Sequence, residues 1–209
     1  MTTIIGVQGD GFAVICSDSR VSTFGDNFSQ IGTLREGSSK VFQNGKYLIG
    51  AAGDVRAINI LQHVFQPPAP LVKANKKSLD QFFTAKFIPA LRECFEAQGY
   101  AVPEREDKEH IAEQGSSVIV AVNSNIYVVE SDYSWSSEAT GLYALGSGSS
   151  YALGALQVLV RNKKVNSQLA KTYALRALAI ASKYDPNTGS PYHSFVQGEK
   201  VSVKRRKKV

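Results

Sequence analysis

Residues 2–20, TTIIGVQGDGFAVICSDSR, decide how the rest of the chain is read. Residues 2–8 and 12–17 are β-rich runs joined by Gly9-Asp10-Gly11, and Asp-Gly between two such runs is a strong hairpin signal. A tight hairpin returns the end of the second strand to the start of the first, so Asp18 is expected beside Thr2. Working outward, residues 40–43 and 47–51 form a second hairpin around Asn44-Gly45. Residues 117–122 and 125–130 form a third around Asn123-Ser124. Residues 142–145 make a short strand running into Gly146-Ser147-Gly148-Ser149. Residues 195–197 and 200–203 close the chain as a last hairpin around Gly198-Glu199.

Between the strands lie helical patterns. Residues 54–65 carry Val55, Ile58, Leu61, Val64 and Phe65 at helical spacing, stopped by Gln66-Pro67-Pro68. Residues 78–98 read as a long helix with Ser78 as N-cap, Pro89 as a kink and Gly99 as its stop. Its stripe of Leu79, Phe82, Phe83, Phe87, Leu91 and Phe95 reads as core rather than a ligand box. Two more helices cover 150–161 and 167–184. Residues 20–35 are polar and read as loop, as do the densely charged residues 103–114. Strands, two helices, strands, two helices and strands in that order predict an α+β fold. The arrangement expected is a four-layer αββα sandwich, two antiparallel sheets flanked by helix pairs. Residues 1–203 read as a single domain and 204–209 as a basic tail.

The chain has 209 residues with a net charge of +6, from 24 Lys and Arg against 18 Asp and Glu. Apolar residues make up 43% and charged residues 20%, an ordinary globular composition. The six bases of residues 200–209 account for the whole excess, leaving 18 bases and 18 acids before them. A neutral body argues against a broad basic face for nucleic acid. No apolar run approaches the ~18 residues of a membrane span. The start lacks a signal-peptide pattern, so a cytoplasmic protein is expected. Cys16 and Cys94 make no disulfide framework and read as small hydrophobes. His63, His110 and His193 have no metal-ligand spacing, so neither metal nor cofactor is expected.

Chemistry concentrates at the start. Removal of Met1 would leave Thr2 with a free α-amine and a β-hydroxyl, a nucleophile and a base on one residue. The amine's ordinary pKa of about 7.7–8.0 suits a general base near neutrality. Asp18 beside Thr2, and Lys40 opening the second hairpin, would supply a buried charged pair of the kind that tunes a nucleophile. The Gly-Ser turn 146–149 lacks the Gly-Lys-Ser/Thr ending of a nucleotide loop.

Five segments in order resemble the proteasome β-type subunits and their simpler bacterial relatives, the threonine peptidases of the N-terminal-nucleophile hydrolases. They are the opening hairpin, SSKVFQ, GAAGDVRA, ALGSGSSYALGAL and DPNTGSPY. The last carries Thr188 where the family usually has Ser. The resemblance implies Thr2 as nucleophile, with Asp18 and Lys40 polarising it and Ser147 holding the amine and a proton-relay water. Asp185 and Thr188 would support that cluster. A backbone N–H of the GAAG turn would form the oxyanion hole, from Gly53 or alternatively Gly50. The 22 residues from Asp18 to Lys40 imply an insertion within 20–35, at the substrate entrance. With Met1 alone before Thr2, maturation would need a methionine aminopeptidase.

The resemblance further implies a self-compartmentalised assembly of stacked homo-oligomeric rings that cleaves unfolded polypeptides, with an ATP-dependent unfoldase as a possible partner. Three rival readings are a non-catalytic structural or gating ring subunit, an amidase acting on a small amide, and a nucleic-acid module driven by the tail.

Overall fold

A computed structural model describes residues 2–25, 28–72, 74–101, 113–161 and 163–198. The opening hairpin is present as β1 (Thr3–Gly9) and β2 (Phe12–Ser17), paired from Ile4↔Ser17 to Gly9↔Phe12. Along both strands side chains alternate between faces, and both faces are apolar. Ile4, Ala13 and Ile15 point to one buried cluster, while Ile5, Val7, Phe12, Val14 and Cys16 point to another. A hairpin apolar on both sides must be sandwiched, and this one is.

Residues 20–33, read from sequence as loop, are instead a hairpin: β3 (Arg20–Gly25) pairs with β4 (Phe28–Thr33) as a separate two-stranded sheet. The Leu34 N–H donates to Ser19 O at 2.9 Å and closes its base. Then follow β5 (Val41–Asn44), β6 (Tyr47–Ala52), β7 (Ser117–Val122), β8 (Asn125–Val129), a short β9 (Trp135–Ser136), β10 (Leu142–Gly146) and β11 (His193–Gly198). They form an antiparallel four-stranded sheet in the order β10-β1-β2-β11 and an antiparallel five-stranded sheet in the order β5-β6-β7-β8-β9. β11 therefore pairs with β2. The partner strand expected at 200–203, the tail 204–209 and most of the 103–114 loop, His110 included, lie outside the described residues.

The helices are α1 (Val55–His63), α2 (Lys76–Phe82), α3 (Ile88–Ala97), α4 (Ser149–Val160) and α5 (Ser167–Tyr184). α1 to α3 cover the five-stranded sheet, and Ile58, Leu61, Leu79, Phe83, Phe87, Leu91 and Phe95 pack on Val118, Val120, Tyr127 and Val129. α4 and α5 cover the four-stranded sheet. α5 presents Ala170, Ala174, Ala177 and Ala181, whose small side chains let helix and strands approach closely. The two sheets meet through Ile4 and Ile15 on one side and Val41, Leu48, Ile119 and Ile126 on the other. The layers are thus helix, sheet, sheet, helix, as the sequence predicts.

Two details of the long helix differ from expectation. It begins at Lys76, not Ser78: Asn75 is the N-cap, its Oδ1 accepting the Ser78 N–H at 2.9 Å. Pro89 does not simply kink it. A π-helical turn, Phe83–Phe87, precedes the proline and separates α2 from α3. Proline lacks the N–H that would bond four residues back, and the wider turn absorbs the mismatch. The turn also stacks Phe83 on Tyr127, with ring centroids 4.1 Å apart. Gly99 ends the helix with φ +59, as expected. Among the described residues, no helix is long and apolar enough to cross a membrane.

Candidate active site

Thr2 precedes β1, at the end of the sandwich where β2 finishes. It is buried, and its carbonyl accepts the Ser147 N–H at 2.9 Å, which fixes the residue against the turn after β10. Gly146 allows that approach: its φ is +90, and a Cβ there would run into the Thr2 carbonyl.

Asp18 lies beside it, as hairpin geometry requires. The Asp18 N–H donates to Thr3 O at 3.1 Å, and the Thr3 N–H donates to Asp18 Oδ1 at 2.9 Å. Lys40 Nζ reaches the same oxygen at 2.7 Å, and both side chains are almost wholly buried. Asp18 Oδ2 accepts the N–H groups of Arg20 at 2.9 Å and Gly189 at 3.1 Å. Four donors fill an ionised carboxylate. Burial pushes the Lys40 ammonium below its ordinary pKa, and the adjacent Asp18 charge opposes that shift. A lysine so placed gives up its proton more readily than one in water.

A second cluster adjoins Thr2 through Ser147. Ser147 Oγ donates to Asp185 Oδ2 at 2.8 Å, and Thr188 Oγ1 donates to the same oxygen at 2.5 Å. Burial drives the Asp185 carboxyl up, but hydrogen bonds from Thr188, Ser147 and Asn187 outweigh it and hold the group below its ordinary value. Asp185 is therefore an acceptor, which sets the direction of every bond behind it. Thr188 spends its proton on Asp185, so the 2.5 Å contact between the Thr3 and Thr188 hydroxyls must be donated by Thr3. Thr3 Oγ1 in turn accepts the Gly148 N–H at 3.1 Å.

Thr3 thus joins both clusters, by its backbone to Asp18 and by its hydroxyl to Thr188. Sequence reading passed it over, because a threonine in a β-strand reads as a strand former. Adjacency to Thr2 was the signal that would have found it. Arg20, also unassigned from sequence, ties the two clusters' loops together, its guanidinium donating to Pro186 O at 2.6 Å.

Of the two glycines left open, Gly50 lies inside β6, flanked by Val41 of β5 and Ile119 of β7. Gly53 follows the strand's end and lines a cavity of about 330 Å³ together with Thr2 and Lys40. Its φ of +139 is open to glycine, and a Cβ would lie 2.7 Å from the Gly115 carbonyl oxygen. The same cavity is walled by Val21, Leu34 and Arg35 from the feet of the β3–β4 hairpin, and by Ile58 and His63 of α1. The segment expected at the substrate entrance therefore borders the space in front of Thr2. Neither cysteine belongs to this site. Cys16 is buried under α5, where burial pushes its thiol up to about 12, and Cys94 packs beside the α1–α3 core.

Two facing antiparallel sheets between helical layers, with a buried threonine leading into an inner strand, define the N-terminal-nucleophile hydrolase fold. Known proteins bear out the resemblance to the proteasome-like members. The ATP-dependent protease subunit HslV of Petrotoga mobilis is 25% identical over 185 residues, 87% of this chain and 89% of that one. The structure of Thiobacillus denitrificans BPH in complex with epoxomicin matches with a TM-score of 0.70 at 21% identity, over 94% of this chain and 98% of that one. HslV from Trypanosoma brucei matches with a TM-score of 0.61 at 18% identity, over 94% and 99%. No family model matches the sequence.

Proposed function

We propose that the chain is a threonine endopeptidase subunit of a proteasome-like ring assembly, with Thr2 as its N-terminal nucleophile. The observation that carries this is that the buried Asp18–Lys40 pair and the Ser147–Asp185–Thr188 cluster meet beside Thr2, at the wall of a cavity that Thr2 and Lys40 line. Removal of Met1 frees the Thr2 amine. The amine accepts the proton of Thr2 Oγ as that oxygen bonds to the peptide carbonyl carbon. The C–N bond then breaks, the departing amine takes the proton, and an acyl ester remains on Thr2. Water, deprotonated by the same amine, hydrolyses the ester and restores the hydroxyl. Lys40, paired with Asp18, lowers the cost of negative charge on Oγ. Gly53, which lines the cavity, supplies the backbone N–H that stabilises the oxyanion; losing such a donor costs roughly 10²–10³ in rate.

The substrates are unfolded polypeptides, and the relative named an ATP-dependent protease subunit supports an unfoldase partner. In this reading residues 1–203 are one domain of a cytoplasmic protein, followed by the basic segment 204–209. Intact-mass spectrometry after treatment with a peptide epoxyketone tests the chemistry. A chain lacking Met1 that gains one adduct is expected, with none on Thr2→Ala. Retention of Met1, or an adduct on the alanine variant, would sink the mechanism and favour a structural or gating subunit.

A further inference from the structure

Glycine fixes its own backbone less than any other residue, and the φ of +139 at Gly53 is one of many conformations open to it. Its neighbours hold it there. On one side Ala52 is the register partner of Ser117, at the end of the β6–β7 ladder. On the other side the Asp54 N–H donates to Ser116 Oγ at 3.0 Å. Ser116 also backs Gly53 itself, where an added Cβ would come within 2.5 Å of the serine hydroxyl. Ser116 is buried and clamped in turn. Its N–H donates to Gln114 Oε1 at 2.9 Å, and Gln114 Nε2 donates back to the Ser116 carbonyl and to Glu130 O at 3.2 Å. Gln114, the last residue of the stretch read from sequence as a charged loop, is itself buried. Tyr100 Oη shares a hydrogen bond with Ser116 Oγ at 2.8 Å, and its ring meets Phe95 of α3 edge to face. The residues lining the cavity in front of Thr2 include neither Ser116 nor Tyr100 nor Gln114.

We infer that Ser116 is a positioning residue for the reaction: its hydroxyl, steadied by Tyr100 and Gln114, fixes the peptide after Gly53 and so aims the backbone N–H that meets the oxyanion. The inference rests on Thr2 being the nucleophile and Gly53 the oxyanion donor. With the strand ladder holding the peptide before Gly53 and Ser116 holding the peptide after it, the two glycine dihedrals between them have one solution. Without the hydroxyl, the Asp54 N–H loses its acceptor and the glycine regains its freedom. Oxyanion donors work because they are already in place when charge develops, and a shift of about 1 Å in such a group can cost about a hundredfold in rate. Ser116 therefore acts on the reacting oxygen through Gly53, from behind the cavity wall.

Labelling of the full chain by a peptide epoxyketone, followed by mass over a range of probe concentrations, separates positioning from binding. Addition of Thr2 Oγ to the probe's ketone develops negative charge on the ketone oxygen, as peptide cleavage does on the carbonyl oxygen. Ser116→Ala is expected to lower the maximal labelling rate about tenfold to a hundredfold and leave the half-saturating probe concentration unchanged. Ser116→Thr, which keeps the hydroxyl, is expected to recover most of that rate. Tyr100→Phe removes one hydrogen bond from Ser116 and is expected to label about fivefold more slowly than wild type. It decides the matter if circular dichroism shows that Ser116→Ala misfolds. A wild-type rate in Ser116→Ala, or in Tyr100→Phe where that variant decides, would overturn the inference and leave Thr2 as nucleophile. So would a loss confined to the half-saturating concentration, or a threonine variant as slow as the alanine one, since either would make Ser116 a matter of packing. Failure of the wild-type chain to label would remove the nucleophile, and the role of Ser116 with it.

Discussion

Thr3 shows how much one ordinary side chain can hold. Its hydroxyl is wholly buried and sits in a relay from the Gly148 N–H through Thr188 to Asp185. Valine has nearly the same shape but would leave the buried Gly148 N–H without its acceptor and take from Thr188 Oγ1 the bond it accepts, while Thr188 still donates to Asp185. Thr3→Val is expected to lose about 1–3 kcal/mol in urea unfolding, while Thr3→Ser stays near wild type. Asp185 gives a pH signature. Its folded-state pKa lies below the ordinary 3.8, so on acidification the unfolded chain takes up the proton first. The stability it contributes is complete above that ordinary value and is lost as pH falls through the folded-state value. Urea midpoints measured down the acid limb should fall less steeply for Asp185→Asn than for wild type.

At the scale of elements, the helix that starts at Lys76 offers a test of its cap. Asn75→Ala is expected to cost about 1 kcal/mol in thermal unfolding and Ser78→Ala only a small fraction of that, because the capping oxygen belongs to Asn75. Both residue types make good caps, and only the backbone's entry into the helix chose between them. The main hairpins were legible because Asp10-Gly11 and Asn44-Gly45 punctuate apolar runs. The β3–β4 hairpin was not, since RVSTFG and FSQIGT lack a sustained apolar alternation and join neither main sheet. Its order comes from its feet, through Ser19–Leu34 and the Arg20–Pro186 contact, which are long-range facts that no local pattern carries. Asp18 beside Thr2 was readable from hairpin geometry alone. The meeting of Asp185 and Ser147, 38 residues apart, was readable only through family resemblance.

For the whole molecule, the proposal requires more than one copy. Native mass spectrometry of epoxyketone-treated protein should show the adduct in a ring of identical chains. A monomer as the main labelled species would overturn the compartment. The chain's own layout adds a constraint on timing. Thr3 bonds to a hydroxyl 185 residues later, and Asp18 to an amide 171 residues later. During synthesis, a chain still waiting for Thr188 and Gly189 to emerge from the ribosome lacks those partners for Thr3 and Asp18. If the proposed function holds, a chain built this way stays unarmed until those residues arrive, since the start of its first strand is tied to a turn more than 170 residues later.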